Sequence, residues 1–175
     1  SVTGVQTCAL PIYFGQEYGD FVLKKSAECI SGCISEGQKV YKLVADEFLI
    51  LDVSSDEAKD ADKLYDKVRE AIDRFIETNE FKVMYTVSGG IVPFAALKGN
   101  QCSEALKLTD FALNEAKKLG RNRCYIFNGE TYRKFLRKRE ITQELREAVI
   151  NGFQGFTAFY HPVFAEDKKV PYGAV

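Results

Sequence analysis

A stripe of apolar residues at helical spacing is the feature that most limits how this chain can fold. After Ser54, apolar side chains recur every three or four positions, at Ala61, Leu64, Tyr65, Val68, Ile72, Phe75 and Ile76. This spacing places them along one face of an amphipathic helix. Ser54 and Glu57 have the spacing of a capping box that would open the helix. Such a face must be buried against a second layer of structure.

Short β-rich runs alternate with further helical segments and supply that layer. The strands are predicted at residues 40–43, 48–53, 82–87, 124–127 and 156–164. Further helices are predicted at residues 20–34, 103–119 and 130–150. Residues 44–47 separate the first two strands as a hairpin turn, and Gly89-Gly90 are predicted to end the third strand. The order predicts an α/β (α+β) sandwich.

Charge and composition exclude several classes of protein. The 175 residues carry 24 Lys and Arg against 25 Asp and Glu, so no basic surface for nucleic acid is predicted. No apolar run approaches the roughly 20 residues that span a bilayer, although a longer parent could carry a membrane anchor. Five cysteines without metal-ligand spacing and a single histidine, His161, argue against a disulfide framework and a zinc site. These features predict a cytoplasmic domain.

The first twelve residues, SVTGVQTCALPI, show neither helical nor strand periodicity. The string resembles a translated sequencing-adapter scar, and the alternative is a natural disordered leader. Either interpretation predicts that residues 1–12 take no part in the fold.

Several motifs resemble, in order, those of the GGDEF (diguanylate cyclase) family. The segment 15–20 is similar to its Gly-His-x-x-Gly-Asp, and 40–48 stands where that family has its signature hairpin. The segment 87–91 resembles Val-Ser-Ile-Gly-Ile, and 116–123 resembles Ala-Lys-x-x-Gly-Arg-Asn-Arg. The resemblance covers about 13–128 and implies a nucleotidyl-cyclase-like antiparallel sheet flanked by helices.

The end of the chain resembles the opening of an EAL (cyclic-di-GMP phosphodiesterase) domain. Leu145-Arg146-x-Ala148 precedes a Tyr-rich run ending Tyr160-His161-Pro162-Val163, as in that family. The family's metal-binding Glu would fall at Val175. The resemblance implies a linker helix at 129–150 and an N-terminal fragment of an EAL domain at 151–175.

The resemblance also implies that the cyclase chemistry is lost. The family joins two GTP molecules with two divalent metals, held by an Asp on the first strand and by the acid at the third signature position. Asp46 takes the third position, but the first-strand Asp is absent. Val44 and Ala45 replace the two glycines that let a phosphate approach the turn, before Glu47 and Phe48. The segment Val44–Phe48 is therefore interpreted as a signature remnant, with Asp46 a weak Mg²⁺ ligand and no catalytic residue.

Some ligand-binding positions are kept. Asp20 matches the guanine-contacting Asp of the family, and Lys117 and Arg121 match phosphate-contacting positions, predicted to share one helix face. Without the resemblance, Asp20 would be a plain helix cap, Lys117 and Arg121 would be solvated helix-end cations, and Asp46 and Glu47 would be turn acids. The product-inhibition motif Arg-x-x-Asp would fall at Ser35 and Gln38 and is absent.

The predicted function is a catalytically inactive, regulatory GGDEF domain that retains a weakened GTP site. Mg²⁺ is expected only if nucleotide binding persists. The resemblance implies GTP or cyclic-di-GMP as ligands, and an attached EAL domain and a homodimer as partners. Two alternatives stay open: an enzyme in the full-length parent, phosphodiesterase rather than cyclase, and an interaction or dimerisation module without a ligand. Loss of the family's first strand would also leave an unpaired sheet edge at 48–53 or 82–87.

Overall fold

A five-stranded sheet with helices on both faces forms the larger part of the molecule. The computed structural model describes residues 1–8, 16–54, 58–78, 85–99, 102–164 and 171–174. Its strands are β1 (Val2–Cys8), β2 (Gln38–Lys42), β3 (Glu47–Asp52), β4 (Thr86–Val92), β5 (Cys124–Ile126), β6 (Pro162–Phe164) and β7 (Pro171–Ala174). Its helices are α1 (Gln16–Cys33), α2 (Ala58–Thr78), α3 (Cys102–Lys118) and α4 (Gly129–Ile150), with a 3-10 turn at Phe94–Ala96.

The strands of the main sheet lie in the order β2-β3-β1-β4-β5. The first four are antiparallel to their neighbours, whereas β4 and β5 are parallel. The sequence-based expectation of helices flanking one sheet is therefore confirmed, and that of a purely antiparallel sheet is wrong at β5. The reason is that α3 forms a crossover connection between β4 and β5, as parallel neighbours require.

The prediction that residues 1–12 lie outside the fold is wrong for residues 2–8. These residues form β1, which is the central strand of the sheet and pairs with β3 on one side and β4 on the other. Val5 is fully buried, and Val2 is almost so. Consequently no first strand is missing, and β3 and β4 expose no unpaired edge towards a gap. This polar segment without regular alternation can still form a strand, because the hydrogen bonds of a β-ladder join backbone groups and do not depend on the side-chain pattern.

The core on one face of the sheet packs against α1 and α2. It is built from Val5, Val22, Ile30, Phe48, Ile50, Leu64, Tyr65, Val68, Ile72, Tyr85 and Val87. The predicted apolar face of α2 is confirmed, since Ala61, Val68 and Ile72 are buried. Helix α1 begins at Gln16 rather than near Asp20, so Asp20 lies within the helix and does not cap it. The predicted capping box includes Glu57, which lies outside the described residues.

Strand β4 continues through Gly89 and Gly90, so the prediction that these glycines end the strand is wrong. The two glycines instead allow α2 and α3 to pack closely against the sheet. A Cβ on Gly89 would lie 2.6 Å from Cδ2 of Tyr65, on α2, and a Cβ on Gly90 would meet the backbone of α3 at Ala112 and Leu113. Both helices therefore approach the sheet at the places where it has no side chains. The predicted start of this strand, at residues 82–84, lies outside the described residues.

Helix α4 starts in one unit of the chain and continues into another. The chain divides into Ser1–Tyr132 and Arg133–Val175. The Asn128 side-chain oxygen caps α4 by accepting from the N–H groups of Glu130 and Thr131, each at 3.0 Å. In the second unit, β6 pairs antiparallel with β7. The predicted strand at 156–164 is shorter than expected, because only 162–164 find a partner. Within the described residues, no helix is both long and apolar enough to cross a membrane.

Candidate functional site

One end of the main sheet carries the hairpin turn and the loop with Arg121, two of the features that the sequence analysis singled out. Gln6, near the end of β1, pairs with Glu47 at the start of β3, and Cys8 pairs with Thr86 at the start of β4. Because β5 is parallel to β4, the loop that enters β5 from α3 approaches the same end. The hairpin turn, the end of β1 and the loop with Arg121 therefore lie at the same end of the sheet.

The hairpin turn predicted at residues 44–47 is formed by Val44, Ala45 and Asp46, because Glu47 is already the first residue of β3. The Leu43 N–H donates to the Glu47 carbonyl at 2.9 Å, and the Glu47 N–H donates to the Val44 carbonyl at 3.0 Å. Ala45 has φ +52°, in the left-handed region. The side chain of Val44 is 77% exposed and projects from the turn. The positive φ therefore falls on the second of the two glycine-replacing residues, whereas Val44 has an ordinary φ.

Other contacts hold the hairpin turn in place. The Lys42 ammonium donates to the Ala45 carbonyl. Its nitrogen also lies 5.0 Å from the ring centre of Phe48, within the range of a cation–π contact. Phe48 is buried in the core, and Glu47 is half-buried at the start of β3. The last two signature residues thus anchor the turn to the sheet.

Asp46 is bound to β1 through both its backbone and its side chain. The Thr7 N–H donates to the Asp46 carbonyl at 3.2 Å. The Gln6 amide nitrogen donates to Asp46 Oδ1 at 2.8 Å. The Gln6 amide oxygen is buried and has no hydrogen-bond partner among the described residues. Residue 6 was missed by the sequence analysis because residues 1–12 had been set aside, and no motif around it marks it.

The residues at this end of the sheet do not fit a two-metal centre. A pair of divalent cations needs several carboxylate oxygens. Asp46 contributes one carboxylate, and one of its oxygens accepts from a neutral amide. Within the described ranges, no group of three or more His, Cys, Asp or Glu side chains is placed to hold a metal ion. The only metal ligand predicted from the sequence is thus engaged by a hydrogen-bond donor.

The three predicted nucleotide-binding residues lie on α1, on α3 and in the loop that follows α3. Asp20 is exposed on α1, and Lys117 is half-buried in the last turn of α3. The prediction that Lys117 and Arg121 share a helix face is wrong, because α3 ends at Lys118. Arg121 has φ +59°, and its N–H donates to the Ala116 carbonyl at 3.2 Å as part of the helix C-cap. Gly120 introduces this break, and it turns the Arg121 backbone out of the helix.

At the other end of the hairpin lies a buried carboxylate, Asp52, which the sequence analysis did not single out. Asp52 accepts from the Gln38 amide at 2.8 Å, the Ser54 N–H at 2.9 Å and the Ser54 hydroxyl at 2.6 Å. Burial works to raise its pKa, but these hydrogen bonds outweigh it and hold the pKa of Asp52 below the usual value. Asp52 lies at the opposite end of β3 from Asp46, and it has a structural role.

An apolar groove of about 630 Å³ lies beside the hairpin, on the α3 face of the sheet. Leu49 and Leu51 of β3 form one wall, and Phe94, Leu97 and Leu106 form another. A triphosphate needs cationic groups and backbone N–H donors. Lys42 is the one cation among the lining residues, and its ammonium already donates to the Ala45 carbonyl. The groove therefore does not suit nucleotide phosphates, and the end of the sheet remains the candidate site.

The sequence and the fold are similar to those of known cyclic-di-GMP proteins. A Pseudomonas aeruginosa protein named cyclic di-GMP phosphodiesterase NbdA is 26% identical over 152 residues, which cover 86% of this chain and 19% of that protein. The chain thus spans about a fifth of this relative.

Solved structures of GGDEF domains share the fold. The active GGEEF domain of a diguanylate cyclase from Vibrio cholerae matches with TM-score 0.62 and 24% identity, covering 73% of this chain and 81% of that one. The GGDEF domain of YfiN (TpbB) from P. aeruginosa matches with TM-score 0.67 and 20% identity, covering 77% and 80%.

The family model described as "Diguanylate cyclase, GGDEF domain" matches residues 12–123. That range is more than half of the chain and contains the hairpin turn, Asp20, Lys117 and Arg121. The chain belongs to the GGDEF domain family.

Proposed function

We propose that this chain is a catalytically inactive, regulatory GGDEF domain of a bacterial cyclic-di-GMP signalling protein, with a weakened GTP site. The observation that carries the proposal is the hairpin turn. Its two glycine-replacing residues present a β-branched side chain that is 77% exposed and an alanine at φ +52°. A phosphate approaching the backbone N–H groups of this turn would meet both side chains.

The state of Asp46 supports the loss of catalysis. Phosphoryl transfer in this family depends on cations that neutralise the developing charge, and carboxylates must hold them. Oδ1 of the Asp46 carboxylate accepts from the Gln6 amide instead of facing a cation. On this proposal, Mg²⁺ reaches the site only as a complex with the nucleotide.

The retained polar residues support weak GTP binding. Asp20 is exposed on α1, where its carboxylate can accept from the N–H groups of a guanine. Lys117 and Arg121 add two cations at the end of α3, next to the loop that enters β5. These groups can hold a base and phosphates loosely, but they do not align two triphosphates for reaction.

The proposed regulatory role depends on an attached EAL domain, with α4 as the signalling linker and a second copy of the chain as a further partner. The resemblance of residues 145–175 to the start of such a domain supports this arrangement.

A second candidate function belongs to the full-length parent, which could itself be a cyclic-di-GMP phosphodiesterase. The name of the P. aeruginosa relative favours that candidate.

Calorimetry with GTP and Mg²⁺ tests the ligand part of the proposal. We expect weak binding that is lost in Asp20→Ala and reduced in Lys117→Ala, because both remove a group assigned to the ligand. Lys118→Ala is the matched control, since Lys118 adjoins Lys117 but pairs with Glu115 on the same helix. Absence of heat at millimolar GTP would eliminate the nucleotide role and leave the ligand-free interaction module.

A further inference from the structure

The Gln6–Asp46 hydrogen bond joins the central strand of the sheet to the hairpin turn. Gln6 lies on β1, and Asp46 lies in the turn between β2 and β3. The bond from Gln6 Nε2 to Asp46 Oδ1 is 2.8 Å long, and the backbone bond from Thr7 to Asp46 lies beside it. Gln6 and Glu47 form the last pair of the β1–β3 ladder, so the contact stands at the end of that ladder.

We infer that Gln6 is a positioning residue that locks the hairpin turn onto β1 without a metal ion, and that its amide donor stands where a second carboxylate would be needed to hold a divalent cation. This inference rests on the proposed function for the assignment of Asp46 to the former cation site, but it concerns the cation alone and not the nucleotide. We call the pair of Gln6 and Asp46 the amide lock.

The orientation of the Gln6 amide follows from the charge of its partner. A carboxylate is an acceptor only, so the amide must present its nitrogen to it. The opposite orientation would place two oxygen atoms in contact and would be stable only with a cation between them. The nitrogen-first orientation leaves the amide oxygen buried without a partner among the described residues, at a cost in free energy. The charge-assisted bond to Asp46 offsets that cost.

A change of one atom type should convert the amide lock into a cation site. Gln6→Glu keeps the length of the side chain but replaces the donor with a carboxylate, next to that of Asp46. Two carboxylates in contact repel each other when no cation is present and together form the hard oxygen site that Mg²⁺ or Mn²⁺ prefers. The variant should therefore become unstable in chelator and be rescued by divalent cations.

The experiment compares thermal unfolding of the wild type, Gln6→Glu and Gln6→Ala in EDTA, in MgCl₂ and in MnCl₂, at matched ionic strength. We expect the Tm of the wild type to be the same in all three buffers. The Tm of Gln6→Glu should fall by roughly 2–4 °C or more in EDTA, and the cations should restore it. Gln6→Ala removes the lock without adding a ligand, so its Tm should fall equally in every buffer.

A double variant separates charge repulsion from simple loss of packing. In Gln6→Glu with Asp46→Asn, the donor and acceptor exchange places, so the hydrogen bond can form again with reversed polarity. We expect its Tm to lie near that of the wild type and to be the same with and without divalent cations. A well-folded Gln6→Glu that does not respond to Mg²⁺ or Mn²⁺ would overturn the inference.

Titration of the wild type with Mn²⁺, followed by loss of the free-ion paramagnetic resonance signal, keeps the inference testable even if Gln6→Glu does not fold. We expect no binding that depends on Asp46. Mn²⁺ binding that disappears in Asp46→Asn would show that the amide does not exclude the cation, and would also overturn the inference. No nucleotide is present in these measurements, so a failure of GTP binding would not affect their outcome.

Discussion

Ala45 carries the backbone strain of the hairpin turn. Its φ of +52° lies in the left-handed region, where an L-residue other than Gly, Asn or Asp is disfavoured by about 1–2 kcal/mol. The sequence alone does not show which of the two glycine-replacing residues, Val44 or Ala45, takes the positive φ. Only the backbone hydrogen bonds of the turn, from Leu43 to Glu47 and from Glu47 to Val44, decide which of the two positions takes the positive φ.

Ala45→Gly should therefore stabilise the protein by about 1 kcal/mol, because glycine adopts this conformation without a Cβ clash. Chemical denaturation of the variant and the wild type measures the difference. Val44→Gly is the matched control: at an ordinary φ the glycine only increases the entropy of the unfolded chain, so stability should fall slightly. An equal gain from both variants would contradict the geometry of the turn.

Asp52 gives the protein a stability that depends on pH. Its pKa is lower in the folded chain than the ordinary value of 3.8, so folding favours the charged form. This contribution is complete above the ordinary pKa and is lost as the pH falls through the lower, folded pKa. Asp52→Asn should lower stability at neutral pH by about 1.5–3 kcal/mol, because the charged acceptor for Ser54 and Gln38 is gone.

The free energy of unfolding, measured from neutral pH to well below the ordinary aspartate pKa, checks this prediction. The Asp52→Asn curve should be flatter on the acid side than that of the wild type. Asp110→Asn, at an exposed position on α3, should leave the curve almost unchanged. Parallel curves for the wild type and Asp52→Asn would show that Asp52 does not contribute to the acid response.

At the scale of helices and strands, apolar periodicity was a reliable guide where a face is buried along its whole length. The stripe from Ala61 to Ile76 predicted α2 because every turn of that helix meets the core. The pattern failed where a backbone contact decides the structure. Gly89-Gly90 resembles a turn in sequence, yet α2 and α3 pack against these residues. Arg121 continues the helical spacing, yet the C-cap after Lys118 ends the helix.

Gly90→Ala tests the close approach of α3 to the sheet. Its Cβ would lie 2.9 Å from the carbonyl carbon of Ala112, a backbone atom that cannot rotate away. We expect a loss of at least about 1–3 kcal/mol in the free energy of unfolding. Gly32→Ala on α1, where a new Cβ meets nothing within 4 Å, should instead stabilise the protein by about 0.5–1 kcal/mol. A neutral effect at Gly90 would mean that α3 lies further from β4.

At the scale of the whole molecule, the fold depends on a strand that the sequence pattern did not reveal. Residues 2–8 contain three polar or small residues at positions that are buried in the sheet, Thr3, Gly4 and Thr7. The hydroxyls of Thr3 and Thr7 have no hydrogen-bond partner among the described residues. Their burial follows from pairing with β3 and β4, which lie more than 35 positions away, so no local rule could predict it.

Removal of residues 1–8 should abolish cooperative unfolding, because it deletes the strand between β3 and β4 together with the buried Val5. Thermal unfolding followed by circular dichroism measures this. Thr7→Val is the matched control within the same strand: it keeps the shape, removes an unpaired buried hydroxyl and should raise stability by about 1 kcal/mol. An intact transition in the shortened chain would restore the interpretation of these residues as a leader outside the fold.

This GGDEF domain keeps the family fold, and on the proposed function its hairpin turn no longer supports the family's chemistry. The most direct measurement is incubation of the full chain with GTP and Mg²⁺ or Mn²⁺, with chromatographic detection of cyclic-di-GMP, beside an active diguanylate cyclase as positive control. The proposed loss of chemistry predicts that no product forms. Cyclic-di-GMP made by the wild type and lost in Asp46→Asn would contradict it.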